Sequence, residues 1–201
     1  QTRRRMDFLT EKHKYVQRAD HVVCISESTR NDLLRIYPDI HVPVTIAYPG
    51  VGLQFNPKAP TSPGLPEPYV LHVGNRGSYK DGATLLQAFA QVAKEFCDIT
   101  VFLAGGGPVT KSEREMSASL GISDRIVQHS IHERDMPSVY AQALVTVVPS
   151  RYEGFGLPAV EALACGCPLV LADTSSLPEV GGEAAHYFPP GDHLALAEIL
   201  R

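Results

Sequence analysis

"LVTVVPSRYEGFGLPAVEALACGCPLVLAD", residues 144–173, decides the fold. It opens on an apolar run of strand length, closes on another, and between them residues 157–166 carry apolar side chains at helical spacing. A strand, a helix and a second strand, with both strands apolar on either face, predict parallel strands in a sheet covered on both sides. Between the first strand and the helix lie Glu153, Gly154, Phe155 and Gly156, and Pro158 suits the first helical turn. The glycines let the main chain approach a ligand without a Cβ in the way, and the amides of a helix start attract an anion, phosphate above all. That attraction is modest, about 0.3–1 kcal/mol for an exposed charge and up to ~2 when partly buried, so other groups must help. Glu153 precedes the helix and Glu161 lies about one turn inside it. Carboxylates are acceptors, suited to hydroxyls on either side of a phosphate; a sugar at one end and a ribose at the other is the shape of a nucleotide sugar.

The same alternation runs upstream. "YVLHVGN" (69–75), "ITVFLAGGG" (99–107) and "RIVQHSI" (125–131) are expected strands, and "ATLLQAFAQVAKEF" (83–96), "SEREMSASLG" (112–121) and "DMPSVYAQA" (135–143) expected helices, giving five strands in an α/β sheet. Ligands of such sheets sit at the carboxyl ends of the strands, and the unusual loops "GNRGSYK", "AGGGP", "HSIHERD" and "SRYEGFG" all fall at that edge. The first of them offers Arg76 and Lys80 to neutralise a diphosphate, Arg through a planar fork and Lys as a compact charge.

Ahead of this region, "NPKAPTSPGLPEP" (56–68) has five prolines in thirteen residues and reads as a linker. Earlier still, "ADHVVCISESTRNDLLRIYP" predicts a strand over 21–25 and a helix capped by Ser26 or Ser28 and halted at Pro38, and "VPVTIAYPG" predicts another strand. The formal net charge of −4 argues against nonspecific nucleic-acid binding, although "TRRRM" (2–6) is locally basic and reads as a solvated helix start. Cys24, Cys97, Cys165 and Cys167 lack the spacing of a zinc site or a disulfide framework and suit reduced thiols of a cytoplasmic protein. No apolar run approaches the ~20 residues of a membrane span. The chain ends at Arg201 within a helical pattern, so a longer protein is expected.

Several other chemistries fit part of this pattern. Residues 154–159 satisfy G-x-G-x-x-A, with Asp173 ending the next strand, but four residues separate the preceding strand from the first glycine, where a dinucleotide fingerprint turns at once. His129 and His132 have a spacing open to zinc without an evident third ligand, and no Asp-x-Asp pair occurs to hold a divalent ion on a diphosphate, so no metal is expected. A glycosidase needs two carboxyls facing one bond, whereas Glu153 and Glu161 are strung along a ligand.

"PSRYEGFGLPAVEALACGCPLVLADTSSLPEVGGEAAHYFPPGD" (149–192) resembles the E-x7-E signature region of the retaining glycosyltransferases of family 4, whose GT-B fold pairs two Rossmann-like domains. "ADHVVCISESTRNDLL", "YVLHVGNRGSYKDGATLLQAFA" and "VFLAGGGP" fall in the order of that family. The resemblance implies that residues 1–57 end an N-terminal, acceptor-side domain, that 58–68 link, and that 69–201 form most of the donor domain. It implies Glu153 on the transferred sugar, Glu161 on the ribose hydroxyls, the backbone of Gly154, Phe155, Gly156 and Leu157 on sugar and diphosphate, and Lys80 on the diphosphate. Gly74 would line the donor, and His129 and Ile131 would lie near the base. In the family an Arg directly follows the loop glycine; here Asn75 stands there and Arg76 comes one later, expected to do the same work.

The implied reaction moves a hexose from a nucleoside-diphosphate sugar to a hydroxyl of a glycan or lipid-linked acceptor, with no metal ion or separate cofactor, in polysaccharide or glycoconjugate biosynthesis. "GNRGSYK" is similar to loops of bacterial polysaccharide mannosyltransferases, so GDP-mannose is the first expected donor and a UDP-sugar the second. A cytoplasmic protein is expected, at the inner membrane face through its N-terminal domain. A donor-binding piece without transfer activity, or a GT-B epimerase or phosphorylase, are the alternatives.

Overall fold

The computed structural model describes residues 11–62, 64–66 and 68–201; the basic run at 2–6 and two positions of the proline-rich stretch lie outside them. The chain divides into two compact units, residues 1–50 and 51–201.

In the first unit, residues 11–18 are helical. Strand β1 (Val22–Cys24) pairs in parallel with β2 (Val44–Ile46), and helix α1 (Glu27–Ile36) connects them. Of the two expected caps, Ser26 is the one used: its buried hydroxyl accepts from the Thr29 amide at 2.9 Å, satisfying one of the amides a helix start leaves unpaired.

The second unit carries six parallel strands: β3 (Tyr69–Val73), β4 (Thr100–Ala104), β5 (Ile126–His129), β6 (Val145–Val148), β7 (Leu169–Ala172) and β8 (His186–Phe188). Their spatial order is β5-β4-β3-β6-β7-β8. The connecting helices are α2 (Gly82–Val92), α3 (Lys111–Ser119), α4 (Met136–Gln142), α5 (Leu157–Ala164), α6 (Leu177–Gly181) and α7 (His193–Leu200). Helix α2 packs on α3 and α7, and α5 on α4 and α6, so a helical layer covers each face. This enclosure explains why the strands read as unbroken apolar runs. Leu71, Phe102, Val147 and Leu171 are all fully buried, and Phe89 of α2 and Ala159 and Ala162 of α5 close over them.

Five of the strands and their helices stand where the sequence predicts them; β8 and α6 do not appear in that reading. The proline-rich stretch lies along the second unit instead of hanging as a tether. Phe55 is buried with its ring edge-on to Tyr140, Leu65 packs on the core, and the Ser62 amide and carbonyl bond the Gln142 side chain. Proline keeps this segment out of helix and sheet without keeping its apolar neighbours out of the core.

The order of strands sets where a ligand can sit. This sheet starts at β3, winds outward through β4 and β5, then returns to the other side of β3 to lay down β6, β7 and β8. At the carboxyl ends of β3 and β6 the following loops leave in opposite directions and open a crevice, the topological switch point of a Rossmann-like sheet.

Two buried polar groups hold the floor of that crevice. The His72 ring, 3% exposed, sits between the carbonyls of Asn75 (3.1 Å) and Val147 (3.3 Å). Burial holds its pKa below the usual histidine value, the charges of Arg76 and Lys80 act the same way, and the two carbonyls oppose them. Arg76 folds back under the glycine loop after β4. Its Nε meets Glu113 Oε1 at 2.7 Å, Nη1 donates to the Gly105 carbonyl, and Nη2 donates to those of Gly107 and Pro108. Glu113 also caps α3 by accepting from the Thr110 amide, a capping box. Burial alone would raise the Glu113 carboxyl, but the bonds from Arg76 and Thr110 outweigh it and hold it below the usual range. Gly106 must be glycine: a Cβ there would stand 2.1 Å from the Gly74 carbonyl oxygen.

Two stability experiments follow. Because the folded state resists protonating His72 while the unfolded chain does not, stability falls as pH drops through about 6.5, by at most ~1.4 kcal/mol per pH unit for one proton. Urea unfolding between pH 7.5 and 5.5 should show a steeper loss for the wild type than for His72→Gln; equal slopes would remove His72 as the source. Arg76→Ala leaves Glu113 without its cation and the Gly105, Gly107 and Pro108 carbonyls without their donor, and urea unfolding at pH 7 should show a cost of about 3–5 kcal/mol, against ~1 or less for a surface pair.

Candidate active site

Three contacts stitch the loop after β3 to the loop after β6, and a fourth braces one of them. The Arg151 amide donates to the Tyr79 carbonyl at 2.7 Å, and Arg151 Nε donates to Asp81 Oδ2 at 2.8 Å. Asp81 Oδ2 also accepts from Thr84 Oγ1, at 2.9 Å, which anchors that carboxylate to the start of α2. Lys80 Nζ lies 2.7 Å from Glu153 Oε1. Their side chains are 26% and 11% exposed, so the pair is screened less than a surface pair. The cation and the acid that the sequence placed on separate loops are thus in direct contact at the switch point. An ammonium has three donors, so Lys80 retains capacity for a second anion beside Glu153.

The loop bearing Glu153 is held from behind by residues the sequence reading did not single out. Its amide donates to Ser175 Oγ at 2.8 Å, and the buried Ser176 hydroxyl bridges the Glu153 and Phe155 carbonyls at 3.0 and 2.9 Å. The paired serines in the turn that follows the apolar strand β7 were the available signal. Gly156, at φ +106°, turns the chain into α5, and a Cβ there would meet Leu177 Cδ2 at 3.0 Å. The Ala159 and Val160 amides bond the Gly156 carbonyl, and Pro158 has no amide. Leu157 supplies the remaining N–H of the opening turn, and its side chain is 48% exposed.

One turn along α5, Glu161 Oε2 accepts from the hydroxyl of Tyr140 at 2.7 Å. Burial lifts the Glu161 carboxyl above the usual range, Glu133 adds to the lift, and the Tyr140 bond opposes it.

The other expected residues are spread along the same edge. Gly74 caps β3 and bonds its amide to the Ala104 carbonyl. His129 ends β5, exposed, its ring tilted on Phe102 and its carbonyl accepting from the Gly105 amide at 2.8 Å. Ile131 is half-buried against the core. His129 and Ile131 lie beyond β4 from β3 and make no bond to Lys80, Glu153 or Glu161. Arg76 departs from its expected place: its side chain is 4% exposed, and its charge is met by Glu113 and loop carbonyls. It supports the glycine loop and does not present a guanidinium at the surface. A cavity of about 560 Å³ opens beside these loops, between Tyr79, Lys80, Gly106, Thr110, Glu113 and Met116. Among the described residues no three His, Cys, Asp or Glu side chains gather as metal ligands.

Residues 56–201 match the family described as "Glycosyl transferases group 1". The O-antigen chain mannosyltransferase B of Escherichia coli is 29% identical over 203 residues, covering 94% of this chain and 53% of the relative. The D-inositol 3-phosphate glycosyltransferase of Xylanimonas cellulosilytica is 31% identical over 181 residues, 83% of this chain and 43% of the relative. Among solved structures, the sucrose-phosphate synthase of Thermosynechococcus elongatus superposes with a TM-score of 0.79 at 28% identity, over 96% of this chain and 51% of the other. HepE of Anabaena, crystallised with UDP and glucose, gives a TM-score of 0.82 at 21% identity, over 96% and 55%, a likeness of fold alone. The chain spans about half the length of these relatives. Its parallel sheet is the Rossmann-like sheet of a GT-B protein, and the chain belongs to the group 1 glycosyl transferases.

Proposed function

We propose that residues 69–201 form the donor side of a retaining family 4 glycosyltransferase that moves a hexose from a nucleoside-diphosphate sugar to an acceptor hydroxyl. The observation that carries this reading is the 2.7 Å contact of Lys80 with Glu153 at the switch point, with Glu161 on the helix that begins just beyond. In a sugar diphosphate the anomeric carbon and the phosphate are joined through one oxygen. A cation for the phosphate and a carboxylate for the sugar therefore have to be neighbours.

As the bond between anomeric carbon and phosphate oxygen breaks, negative charge gathers on the diphosphate and the ring becomes oxocarbenium-like. Lys80 and the α5 amide of Leu157 stabilise the first, a preorganised electrostatic role assigned to them because the sequence has no Asp-x-Asp pair. Glu153, already bonded to Lys80, positions the sugar hydroxyls and is not assigned as a nucleophile. The acceptor oxygen attacks from the face the diphosphate leaves, and its proton passes to the departing phosphate oxygen, so configuration is kept. Glu161 holds the ribose. Arg76 acts at one remove, by setting the glycine loop.

GDP-mannose is the first proposed donor, supported by the mannosyltransferase relative and by the "GNRGSYK" loop; a UDP-sugar is the second, supported by the UDP bound in HepE. The acceptor is proposed to be a glycan or lipid-linked hydroxyl, in keeping with the O-antigen relative.

In the complete enzyme, Lys80→Ala should lower kcat about 10²–10³-fold, the scale of losing one preorganised charge stabiliser. Glu153→Ala should also lower kcat, while Glu161→Ala should act mainly on the donor KM. Steady-state kinetics with near-normal values for both Lys80→Ala and Glu153→Ala would refute the site. A thermal-shift panel of GDP-, UDP- and ADP-sugars should show one base raising stability, by about 2.7 kcal/mol at a hundredfold excess over Kd. No shift with any of them would count against a donor site.

A further inference from the structure

Tyr140 is a residue to which the proposed reaction gives no task, yet its ring is fully buried and its hydroxyl is spent on Glu161. A phenol hydroxyl in a core costs free energy unless paired, and Phe would fill the same space between α4 and Phe55. We propose that Tyr140 is a positioning residue for nucleotide selection: its hydroxyl fixes the rotamer of Glu161 so that the free carboxylate oxygen faces a ribose diol. This rests on the reading of Glu161 as the ribose acceptor.

The direction of the bond is set by chemistry. Burial and the neighbouring Glu161 charge both raise the Tyr140 pKa, so the hydroxyl keeps its proton and donates. A carboxylate accepts only, and Oε2 is occupied at 2.7 Å. Among the described residues Oε1 has no hydrogen-bond partner, which leaves one oxygen for the paired hydroxyls of a ribose. The same bond acts on charge: burial pulls Glu161 toward its neutral acid, and the Tyr140 donor favours the ionised form that a diol needs. Tyr140 is itself held from the other side. Its helix stacks on α5, Cys165 and Cys167 lie close, and Phe55 meets its ring at 6.0 Å. The hydroxyl has little freedom to follow a Glu161 that turns away.

The test compares GDP and UDP with their 2′,3′-dideoxy counterparts by calorimetric titration of the complete enzyme. The wild type should favour the ribose form of the nucleotide it binds. Tyr140→Phe should cut that preference about ten- to hundredfold, the scale of a lost bond to a charged group, while leaving the dideoxy affinity near wild type. The acid limb of ribose-nucleotide binding should also move to higher pH in this variant. In a Glu161→Ala background, Tyr140→Phe should change nothing in the preference. A uniform loss for both nucleotides in Tyr140→Phe, or an unchanged preference, overturns the positioning role and leaves Glu161 as ribose acceptor standing. A wild type indifferent to the ribose hydroxyls overturns both. Since every comparison is a ratio within one folded variant, a lower melting temperature does not blur it.

Discussion

The constraint on which the rest depends is topological. A parallel sheet that begins in its middle must reverse its winding once, and only there do two loops leave neighbouring strands toward opposite faces and open a crevice. In this chain the reversal falls between β3 and β6. The loop after β3 carries Lys80 and the loop after β6 carries Glu153, 73 residues apart in sequence and 2.7 Å apart in space. The loop after β3 has one 3-10 turn, Ser78–Lys80, and the loop after β6 has no regular element, so the contact is secured by its surroundings. Arg151 is fastened to Tyr79 and Asp81, and Ser175 and Ser176 grip the far side of the Glu153 turn. A charge pair between two free loops would contribute little. Between two loops already fixed it needs no further ordering of the backbone to form.

A second device brings the glycine loop after β4 up to the same edge. Gly106 lies so close to the Gly74 carbonyl that no side chain fits, and Arg76 threads beneath to gather the carbonyls of Gly105, Gly107 and Pro108. A stretch of glycines is entropically costly to order, and its carbonyls would otherwise need water or ligand as partners. One buried guanidinium answers both needs, and Glu113 balances its charge while capping α3. This explains how a chain with Asn75 in the expected position of an arginine can place its Arg one residue later and turn it inward.

Much of this was legible in the sequence because the physics involved is local. Strands β3 to β7 are apolar runs separated by turn residues, and a doubly covered parallel sheet demands that pattern. The glycine-bearing helix start flanked by Glu153 and Glu161 was equally visible, as a strand, a turn and then α5. What escaped was the part decided at a distance. Strand β8 is three residues long, with His186 exposed and only Phe188 buried, and it exists because β7 offers an edge to pair with. Arg76 looked like a phosphate ligand because a sequence shows a charge and not its partners; Glu113 lies 37 positions away. Tyr140 fell inside the expected helix over 135–143 without being singled out, and the bond that distinguishes it from Phe reaches across to α5. The prolines of 57–68 were silent on whether Leu65 among them, or Phe55 just before them, packs on the core.

The two glutamates show how one residue type acquires two electrostatic settings within eight positions. Glu153 sits against a cation, so its charge is stabilised by a partner that a diphosphate will also attract. Glu161 sits against a neutral donor in a buried setting that works against its charge. The difference follows from where each lies relative to the helix. Glu153 precedes α5, where the chain has come straight from the sheet edge and meets the loop after β3. Glu161 is one turn in, where the helix has already docked on α4 and meets its side chains. The Glu153 contact is a charge pair between two loops, and Lys80 keeps donors beyond it. The Glu161 contact is a hydrogen bond from a neutral hydroxyl, between two packed helices, so its partner is fixed by the core.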